Sequence, residues 1–502
     1  MTRIEQYLVH SADLHADKNA IVSDGMRLSY ADLLDRSARM AQSLAEHGVG
    51  EGERVILFLD NGWEFGVAVF AVWMAGAIIC PVNPSTKPSR LQQIVQDCQP
   101  CLIITETRLV GHLEAMDGDI PCIVAGEGGS LRQTFESDPF PFLSRSTDAL
   151  AAIIYTSGST GLPKGVMLSH ANLDAAVTSI TSYLGNTFSD VILVVLPMSF
   201  GYGLNQLMSS VKVGATLVIE RSFAYPEQVY QTIETESVTG WPIVPSIAAI
   251  MMQARELDPG RFASLRYVTC AAAPLPLAHQ DWLRAFLPHA DLFVMYGQTE
   301  CTRATWLPPV ELDRHRGSVG IAMAGVKLRI VDDEGRSLAP GQVGELLVCG
   351  PNVMQGYWRN EEATRRALSI DPFTGECWLR TGDLFSADED GFISFVSRMD
   401  DIIKCRGEKV APHMVEEVLC QMPGISDAVA IGVPHDLLGQ AIKAVIVSQE
   451  AQMTARDVQR FCARHLEEHM VPKIVEFRNS LPKTPSGKVS RRLLIEPEQP
   501  ME

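Results

Sequence analysis

The sequence predicts an α/β protein with two domains: a large N-terminal domain of α/β subdomains plus a small β-rich subdomain, and a small α+β C-terminal domain. Short apolar segments alternate with helical ones to about residue 300, which is typical of largely parallel sheets. From residue 317 to 395 the pattern changes to short glycine-rich strands. A polar run at 398–401 then precedes mixed helices and strands. Because 502 residues exceed one ordinary core, we expect domains at 1–398 and 399–502.

The first 150 residues alternate helix and strand. Residues 65–82 are uncharged and long enough to raise the question of a membrane span, but Gly76 and Pro81 interrupt them, so we expect a buried helix, a short strand and no membrane span. Residues 107–148 are rich in loops. The predicted helices are 30–47, with Ser29 as its cap, 63–75 and 90–97; the strands are 54–59, 77–82 and 102–105.

The same alternation continues after residue 150. Predicted strands are 149–155, 191–196, 215–219, 265–270 and 291–295, and predicted helices are 170–184, capped by Ser169, 204–211 and 227–236. The β-rich part has strands at 327–331, 344–349 and 391–396. The C-terminal part has helices at 414–421 and 454–469 and strands at 428–433, 442–447 and 474–477.

Composition limits the partners. Apolar residues make up 46% and charged residues 20%, as in globular proteins. The net charge of −18 argues against nucleic acid or an anionic membrane as a partner. Eleven cysteines are scattered, and the one C-x-x-C pair, Cys98 and Cys101, has no second Cys or His pair at zinc-binding spacing, which favours a reducing, cytoplasmic setting. The N-terminal residues carry charge and lack an apolar stretch, so we expect no signal peptide.

A small, hydroxyl-rich loop follows the strand at 149–155. Its residues are Thr156, Ser157, Gly158, Ser159, Thr160 and Gly161, with Lys164 just beyond. Such a loop can bend tightly and direct N–H groups and hydroxyls at one anion, which indicates a triphosphate cradle. It is not a Walker loop, because Gly165 follows Lys164 where Ser or Thr is required. Taken alone, the loop fits a plain turn between strands equally well.

The run from Tyr155 to Gly165, Y-T-S-G-S-T-G-L-P-K-G, resembles the signature loop of the adenylate-forming (AMP-binding) superfamily. That superfamily contains acyl- and aryl-CoA synthetases, adenylation domains of nonribosomal peptide synthetases, and beetle luciferases. Further segments that resemble its motifs follow in family order to residue 488. The resemblance implies ATP and Mg²⁺ as cofactors and an acyl-AMP intermediate.

Three later segments resemble the family's nucleotide-binding motifs. In Y-G-Q-T-E, the resemblance implies that Tyr296 lies near adenine, Thr299 contacts the α-phosphate and Glu300 binds Mg²⁺. The position after a strand suits ligand binding in α/β sheets, although a lone Glu there is more often a solvated loop residue. The small residues around Ala272 would let adenine lie against the backbone. Asp383 and Arg398 would hold the ribose hydroxyls.

The run from Arg398 to Pro412 resembles the family's hinge and the loop after it. The resemblance implies a mobile C-terminal domain that swings about Asp400, with Lys404 facing AMP, and Arg406 and Gly407 beside CoA or a pantetheine arm. The alternative is a solvated hairpin.

Near the C-terminus, P-K-T-P-S-G-K ends in Lys488. In the family this lysine bridges the carboxylate and the α-phosphate. A cation between two anions that must react lowers the barrier.

The resemblance also indicates an acyl pocket. In relatives it is lined by the segment around Phe200, Gly201 and Tyr202, by the surroundings of Trp241, and by residues near Ala271 and from Cys301 to Arg303. Amino-acid-activating relatives usually carry Asp where this chain has Gly201, which argues against an α-amino acid. The small residues leave room for an aliphatic or aryl acid, while Phe200 stands where many CoA ligases carry His.

Four hypotheses follow. The first is an acyl-CoA synthetase that activates a small-molecule carboxylic acid with ATP and transfers it to CoA. The second is a stand-alone adenylation enzyme that loads an acid onto the phosphopantetheine of an acyl or peptidyl carrier protein. The third, a catalytically silent nucleotide-binding protein, is disfavoured by intact Lys164, Glu300, Asp383 and Lys488. Nothing in the sequence favours the fourth, a luciferase-like oxygenase.

Overall fold

The structure is a computed structural model. It describes residues 1–114, 116, 120–143, 145–157, 163–254, 256–405, 408–435, 438–448, 450, 452–483 and 489–495. The helices are α1 (Glu5–His15), α2 (Tyr30–Glu46), α3 (Trp63–Ala75), α4 (Pro88–Cys98), α5 (Val110–Glu114), α6 (His170–Tyr183), α7 (Gly201–Val213), α8 (Pro226–Thr235), α9 (Pro245–Gln253), α10 (Leu277–Phe286), α11 (Glu361–Ala367), α12 (Pro412–Gln421), α13 (Ala455–His465) and α14 (Arg492–Ile495).

The strands form three sheets. They are β1 (Asn19–Ser23), β2 (Met26–Ser29), β3 (Arg54–Phe58), β4 (Ile78–Pro81), β5 (Leu102–Glu106), β6 (Cys122–Ala125), β7 (Leu150–Ser157), β8 (Pro163–Ser169), β9 (Val191–Val194), β10 (Thr216–Ile219), β11 (Gly240–Ile243), β12 (Tyr267–Cys270), β13 (Asp291–Tyr296), β14 (Thr305–Leu307), β15 (Ser318–Ala322), β16 (Lys327–Val331), β17 (Val343–Cys349), β18 (Gly356–Tyr357), β19 (Leu368–Ile370), β20 (Cys377–Ala387), β21 (Ile393–Arg398), β22 (Ile403–Cys405), β23 (Glu408–Val410), β24 (Ile425–His435), β25 (Gly439–Ser448) and β26 (Ile474–Phe477).

The largest sheet joins a parallel part to an antiparallel part. Its order is β16-β17-β20-β21-β15-β14-β13-β12-β11-β9-β10-β1-β2, with β19 paired to β20. The strands from β13 through β12, β11, β9 and β10 to β1 are parallel, and β14 turns the sheet antiparallel. The predicted β-rich subdomain therefore continues the α/β sheet through β14 and β15.

The second sheet lies across helix α3 from the first. Its order is β18-β8-β7-β4-β3-β5-β6. Every residue of α3 except Glu64 is buried. Trp73 on α3 donates from Nε1 to the carbonyl of Ala151 on β7 at 2.9 Å, while a Cβ on Gly66 would come within 2.6 Å of Ile21 on β1. This double burial explains why the helix is apolar all round.

The C-terminal part has its own sheet, β23-β22-β25-β24, with β26 beside β25. Apolar clusters cover both faces of this sheet, one of them packed under α12 and α13. A short 3₁₀ helix, Met399–Asp401, connects it to the end of β21. The prediction of a large α/β domain followed by a small α+β domain is confirmed.

A few predicted elements have the observed bounds, and the others differ at one or both ends by up to four residues. Residues 63–75 and 474–477 match α3 and β26. Both predicted helix caps form capping boxes, Ser29 with Asp32 and Ser169 with Asn172. Across the described ranges, no helix combines the length with the apolar character that crossing a bilayer requires. Elements that the sequence did not predict include α1, α9, α10, β1, β2, β6, β11 and β20.

Candidate active site

The candidate phosphate loop connects two antiparallel neighbours, β7 and β8. Thr156 pairs with Lys164 across this ladder, and the Thr156 hydroxyl lies 3.5 Å from the Lys164 carbonyl oxygen. Gly158, Ser159, Thr160 and Gly161 lie outside the described residues, as does the side chain of Ser157. The structure thus fixes the two ends of a hairpin loop and brings Lys164 opposite Thr156.

A polar cluster surrounds Asp383, where β20 pairs with β21. The Tyr296 hydroxyl donates to Asp383 Oδ2 at 2.7 Å, and Gln298 Nε2 donates to the same oxygen at 3.1 Å. Arg398, the ladder partner of Asp383, places Nε 3.3 Å from Oδ1. Burial, followed by the charge of Asp383, raises the pKa of Tyr296 well above its usual value. Tyr296 therefore stays a hydroxyl donor, and the cluster forms a wall of hydrogen-bonding groups.

A second cluster joins the predicted metal ligand to the loop lysine. The Tyr357 hydroxyl donates to Glu300 Oε1 at 2.9 Å, and Lys164 Nζ lies 5.5 Å from the centre of the Tyr357 ring. Burial and the Glu300 charge raise the pKa of Tyr357. The amide of Met354 donates to the Glu300 carbonyl at 2.8 Å. A cation and a carboxylate thus flank one tyrosine, an arrangement that suits a metal–phosphate complex.

The segment from Tyr296 to Glu300 connects these two clusters, and Thr299 and Glu300 lie in a short 3₁₀ helix. Ala272 occupies a left-handed conformation, φ +77°, just after the end of β12. Non-glycine residues rarely adopt this backbone, and such strain concentrates at functional sites.

Several predicted acyl-pocket residues lie together. Tyr202 donates to the carbonyl of Thr269 on β12 at 3.0 Å, Ala271 is buried two residues further on, and Cys301 is fully buried. A Cβ on Gly201 would meet nothing within 4 Å, so this position does leave open space. Phe200 is the residue that precedes helix α7.

Trp241 does not belong to this group. On β11 it pairs with Val268, while its neighbour Pro242 pairs with Thr269, the partner of Tyr202. Side chains alternate between faces along a strand, so Trp241 faces the other side of the sheet, where it stacks on Phe262 at 6.0 Å. We therefore remove Trp241 from the predicted acyl pocket.

Of the predicted C-terminal residues, the two that the structure describes, Lys404 and Asp400, are not part of either cluster. Lys404 is exposed on β22, and its backbone amide donates to Gln440 at 2.7 Å. Asp400 is exposed in the 3₁₀ helix at the domain junction. Arg406, Gly407 and Lys488 lie outside the described residues.

Four residues that we did not predict from sequence contribute to the site. Gln298 and Tyr357 contact Asp383 and Glu300, as described. Asn352 Nδ2 donates to the carbonyls of Cys301 at 2.8 Å and Arg303 at 2.6 Å, which fixes the turn between them. The Thr381 carbonyl accepts a hydrogen bond from Gln298 Nε2 at 3.0 Å. Their roles depend on contacts between distant segments, and the only sequence signals were that Gln298 lies inside the Y-G-Q-T-E segment and that Thr381 lies two residues before Asp383.

Comparison with known proteins decides the family. The model of the AMP-binding enzyme family matches residues 8–358, and that of the AMP-binding enzyme C-terminal domain matches residues 414–488. The chain belongs to the AMP-binding enzyme family. The predicted resemblance is thereby confirmed, and this family member is an AMP-forming acid–thiol ligase.

Several of the similar proteins are named as CoA ligases. A long-chain-fatty-acid–CoA ligase of Salmonella typhimurium is 29% identical, over 97% of this chain and 92% of that protein. Peroxisomal OPC-8:0-CoA ligase 1 of Arabidopsis thaliana is 32% identical, over 97% and 91%. ATP-bound MatB of Rhodopseudomonas palustris is 29% identical, with a TM-score of 0.90 over 98% of both chains; MatB without ATP scores 0.79. ATP-dependent acid activation with transfer to CoA is confirmed, and the carrier-loading alternative is not favoured.

Proposed function

We propose that this ligase activates its acid between the two polar clusters. The acid carboxylate attacks the α-phosphorus of ATP, the bond to the β-phosphate breaks, and pyrophosphate leaves. The observation that carries this proposal is the continuous segment from Tyr296 to Glu300, which reaches Asp383 at one end and the Tyr357–Lys164 pair at the other. Catalysis of this kind needs positioning and charge stabilisation, with no side-chain nucleophile.

The cluster around Asp383 is the proposed ribose site. A carboxylate can accept from both ribose hydroxyls, and the Tyr296, Gln298 and Arg398 contacts hold it in one orientation. We assign adenine to the space beside Tyr296 and the turn at Ala272, the phosphates to the loop from Thr156 to Lys164, and the α-phosphate contact to Thr299.

Glu300 fits a role as the Mg²⁺ ligand. Among the described residues, its Oε1 accepts from Tyr357, whereas Oε2 receives no hydrogen bond. One free carboxylate oxygen is enough, because Mg²⁺ is usually held by one or two carboxylates together with substrate phosphates and water. When bound, the ion would offset phosphate charge; Tyr357 would hold Glu300 in place for it.

We propose that thioester formation takes place after the C-terminal domain has rotated into a second orientation. The thiol of CoA attacks the acyl carbonyl, AMP leaves, and the thiol proton passes to solvent. We propose the domain boundary at residue 398/399, the hinge at Asp400, and CoA contacts at Lys404, Arg406 and Gly407. The exposed 3₁₀ helix at the junction supports this hinge.

One hydrogen bond across the junction caps helix α10. The Glu417 carboxylate on α12 accepts from the Leu277 amide, the first of α10, at 3.0 Å. It caps a helix whose own preceding residue, Pro276, supplies no side-chain cap. The TM-score is 0.90 with ATP-bound MatB and 0.79 with MatB without ATP, which favours a domain arrangement like the ATP-bound one.

We also propose a cytoplasmic location, since the cysteines fit a reducing compartment.

The test separates the two half-reactions. Lys488→Ala should abolish pyrophosphate release from ATP and acid, because the cation between two anions is lost. Thioester formation from supplied acyl-AMP and CoA should stay near the wild-type rate. Equal loss in both half-reactions would remove Lys488 from its assigned role. A pyrophosphate-release screen across fatty, aryl and amino acids identifies the acid.

A further inference from the structure

Arg303 is a buried cation for which the described part of the chain supplies no counter-ion. Its exposed fraction is 3%. None of its side-chain nitrogens has a hydrogen bond or ion pair with a described residue, and Nε is also sealed from solvent. Buried charges in proteins are normally paired, because desolvating an ion costs several kcal/mol. An arginine cannot escape this cost by losing its proton.

The guanidinium lies among predicted acyl-pocket residues. Its carbon is 4.9 Å from the centre of the Tyr202 ring, and the Tyr202 hydroxyl is tied to Thr269 Oγ1 at 2.7 Å. Burial raises the pKa of Cys301 to about 12, and the Arg303 charge is among the groups that oppose this rise. The same opposition acts at Tyr183, whose ring stacks on Trp306 at 4.8 Å. Arg303 therefore places positive charge among aromatic side chains and predicted acyl-pocket residues.

The backbone holds Arg303 in this position. Thr302, before it, has φ +55°, a strained conformation for a β-branched residue. Asn352 clamps the carbonyls on both sides of Thr302. A Cβ on Gly297 would lie 2.8 Å from the Arg303 Cα, so this glycine permits the close approach. Strain that is held by such contacts is typical of functional positions.

A second buried polar group lies on the same side of helix α7 as Tyr202. Asn205 follows Tyr202 by three residues, a spacing that places both on one helix face. It is 1% exposed, and neither its amide oxygen nor its amide nitrogen has a partner among the described residues. Arg303 beside the Tyr202 ring and Asn205 on the same helix face as Tyr202 are thus two buried polar side chains without partners among the described residues, which indicates a polar ligand.

The contact with Tyr202 alone does not offset the cost of burying the Arg303 charge. A cation–π contact contributes about 0.5–2 kcal/mol, less than the desolvation of the guanidinium. Arg266 provides the comparison within this chain. It lies at the same distance, 4.9 Å, from the Tyr267 ring, but it is also paired with Asp190 at 3.1 Å. Arg266 is also exposed and donates to the carbonyls of Leu184 and Gly185, whereas the buried Arg303 side chain has neither a carboxylate nor a carbonyl partner among the described residues.

We propose that the substrate supplies this carboxylate: the acid carries a second anionic group, and Arg303 is the residue that selects it. The substrate class is then a dicarboxylic acid, activated at one end and bound at the other. A guanidinium matches a carboxylate through two parallel hydrogen bonds. This inference rests on the proposed function, since it assigns the far end of the same acyl pocket.

The wild-type enzyme tests it directly. Aliphatic and benzene dicarboxylic acids are each paired with the acid in which a methyl group replaces the second carboxylate. Pyrophosphate release should give a kcat/KM at least about tenfold higher for the diacid of the best pair, because a site built for a polar group rejects the analogue that lacks it. If the methyl partner is preferred in every active pair, the inference fails while the proposed function stands. If no acid of any class releases pyrophosphate, both fail.

Substitutions test whether Arg303 is the residue that selects the diacid. Arg303→Met should lower the diacid preference at least about tenfold, leave the KM for ATP unchanged, and keep or raise Tm, since an unpaired buried charge is removed. Arg303→Lys should retain part of the preference. The matched control, Arg266→Met, should lower Tm and leave the preference intact, because it breaks a satisfied ion pair. A rise in the KM for ATP, or a lower Tm with unchanged preference, would assign Arg303 to the phosphates or to the fold and overturn the inference. If Arg303→Met does not fold, the wild-type ratio decides.

Discussion

Tyr357→Phe isolates the hydrogen bond that orients Glu300. The substitution removes one hydroxyl, 2.9 Å from Glu300 Oε1, and keeps the ring beside Lys164. A hydrogen bond to a charged group contributes about 1.5–3 kcal/mol. If that energy positions Glu300 for the metal–ATP complex, its loss lowers kcat/KM for pyrophosphate release by about tenfold to a hundredfold. Thioester formation from supplied acyl-AMP involves no triphosphate and should change less than about threefold.

The assay compares pyrophosphate release at varied ATP and Mg²⁺ with the acyl-AMP half-reaction. Tyr7→Phe is the matched control: Tyr7 is similarly buried, at 5% against 9% for Tyr357, and its hydroxyl also donates to a carboxylate, that of Asp174. Both variants should lose stability, and only Tyr357→Phe should lose pyrophosphate release selectively. Pyrophosphate release within about twofold of wild type, or equal losses in both half-reactions, would refute the reasoning.

Three further outcomes are expected. Asp400→Pro should preserve pyrophosphate release and reduce thioester formation, because a fixed φ restrains the hinge; unimpaired thioester formation would count against a moving domain. Gly203→Ala should lower the free energy of unfolding by about 1–3 kcal/mol, since its Cβ would meet the Pro197 carbonyl at 2.3 Å, whereas Gly201→Ala, with open space around it, should not; equal Tm values would contradict this. Burial lowers the pKa of His279 to about 4 from 6.5. Between these pH values the unfolded state binds a proton at His279 that the folded state does not bind. The free energy of unfolding therefore decreases as pH falls below about 6.5. The stability advantage of wild type over His279→Gln should therefore shrink by up to about 1.4 kcal/mol per pH unit from pH 6.5 towards 4 in urea unfolding; a constant difference would exclude His279 as the cause.

Local sequence signals were sufficient to predict the elements that have a clear apolar or capping pattern. Helix α3 is continuous and apolar, and Ser29 and Ser169 are followed at the third position by Asp32 and Asn172, so their bounds could be predicted. Strand β11 was missed because its four residues, with a glycine and a proline, read as a loop. Its pairing with β12 and β9 supplies the stability that the local sequence lacks.

The candidate site shows the same limit. The segment from Tyr296 to Glu300 could be recognised as a motif, but Tyr357 comes 57 residues after its partner Glu300. No local pattern predicts that contact. Trp241 and Pro242 are adjacent, and only the strand register shows which of them shares a face with Thr269. That Arg303 has no counter-ion within the described ranges is likewise a property of the folded surroundings, which no local sequence pattern shows.

The most direct measurement is a crystal structure with a nonhydrolysable ATP analogue and Mg²⁺. We predict the ribose hydroxyls within hydrogen-bonding distance of Asp383, the metal on Glu300, and the triphosphate between Thr156 and Lys164. A nucleotide bound elsewhere, with the Asp383 and Glu300 clusters unchanged and unoccupied, would contradict this prediction.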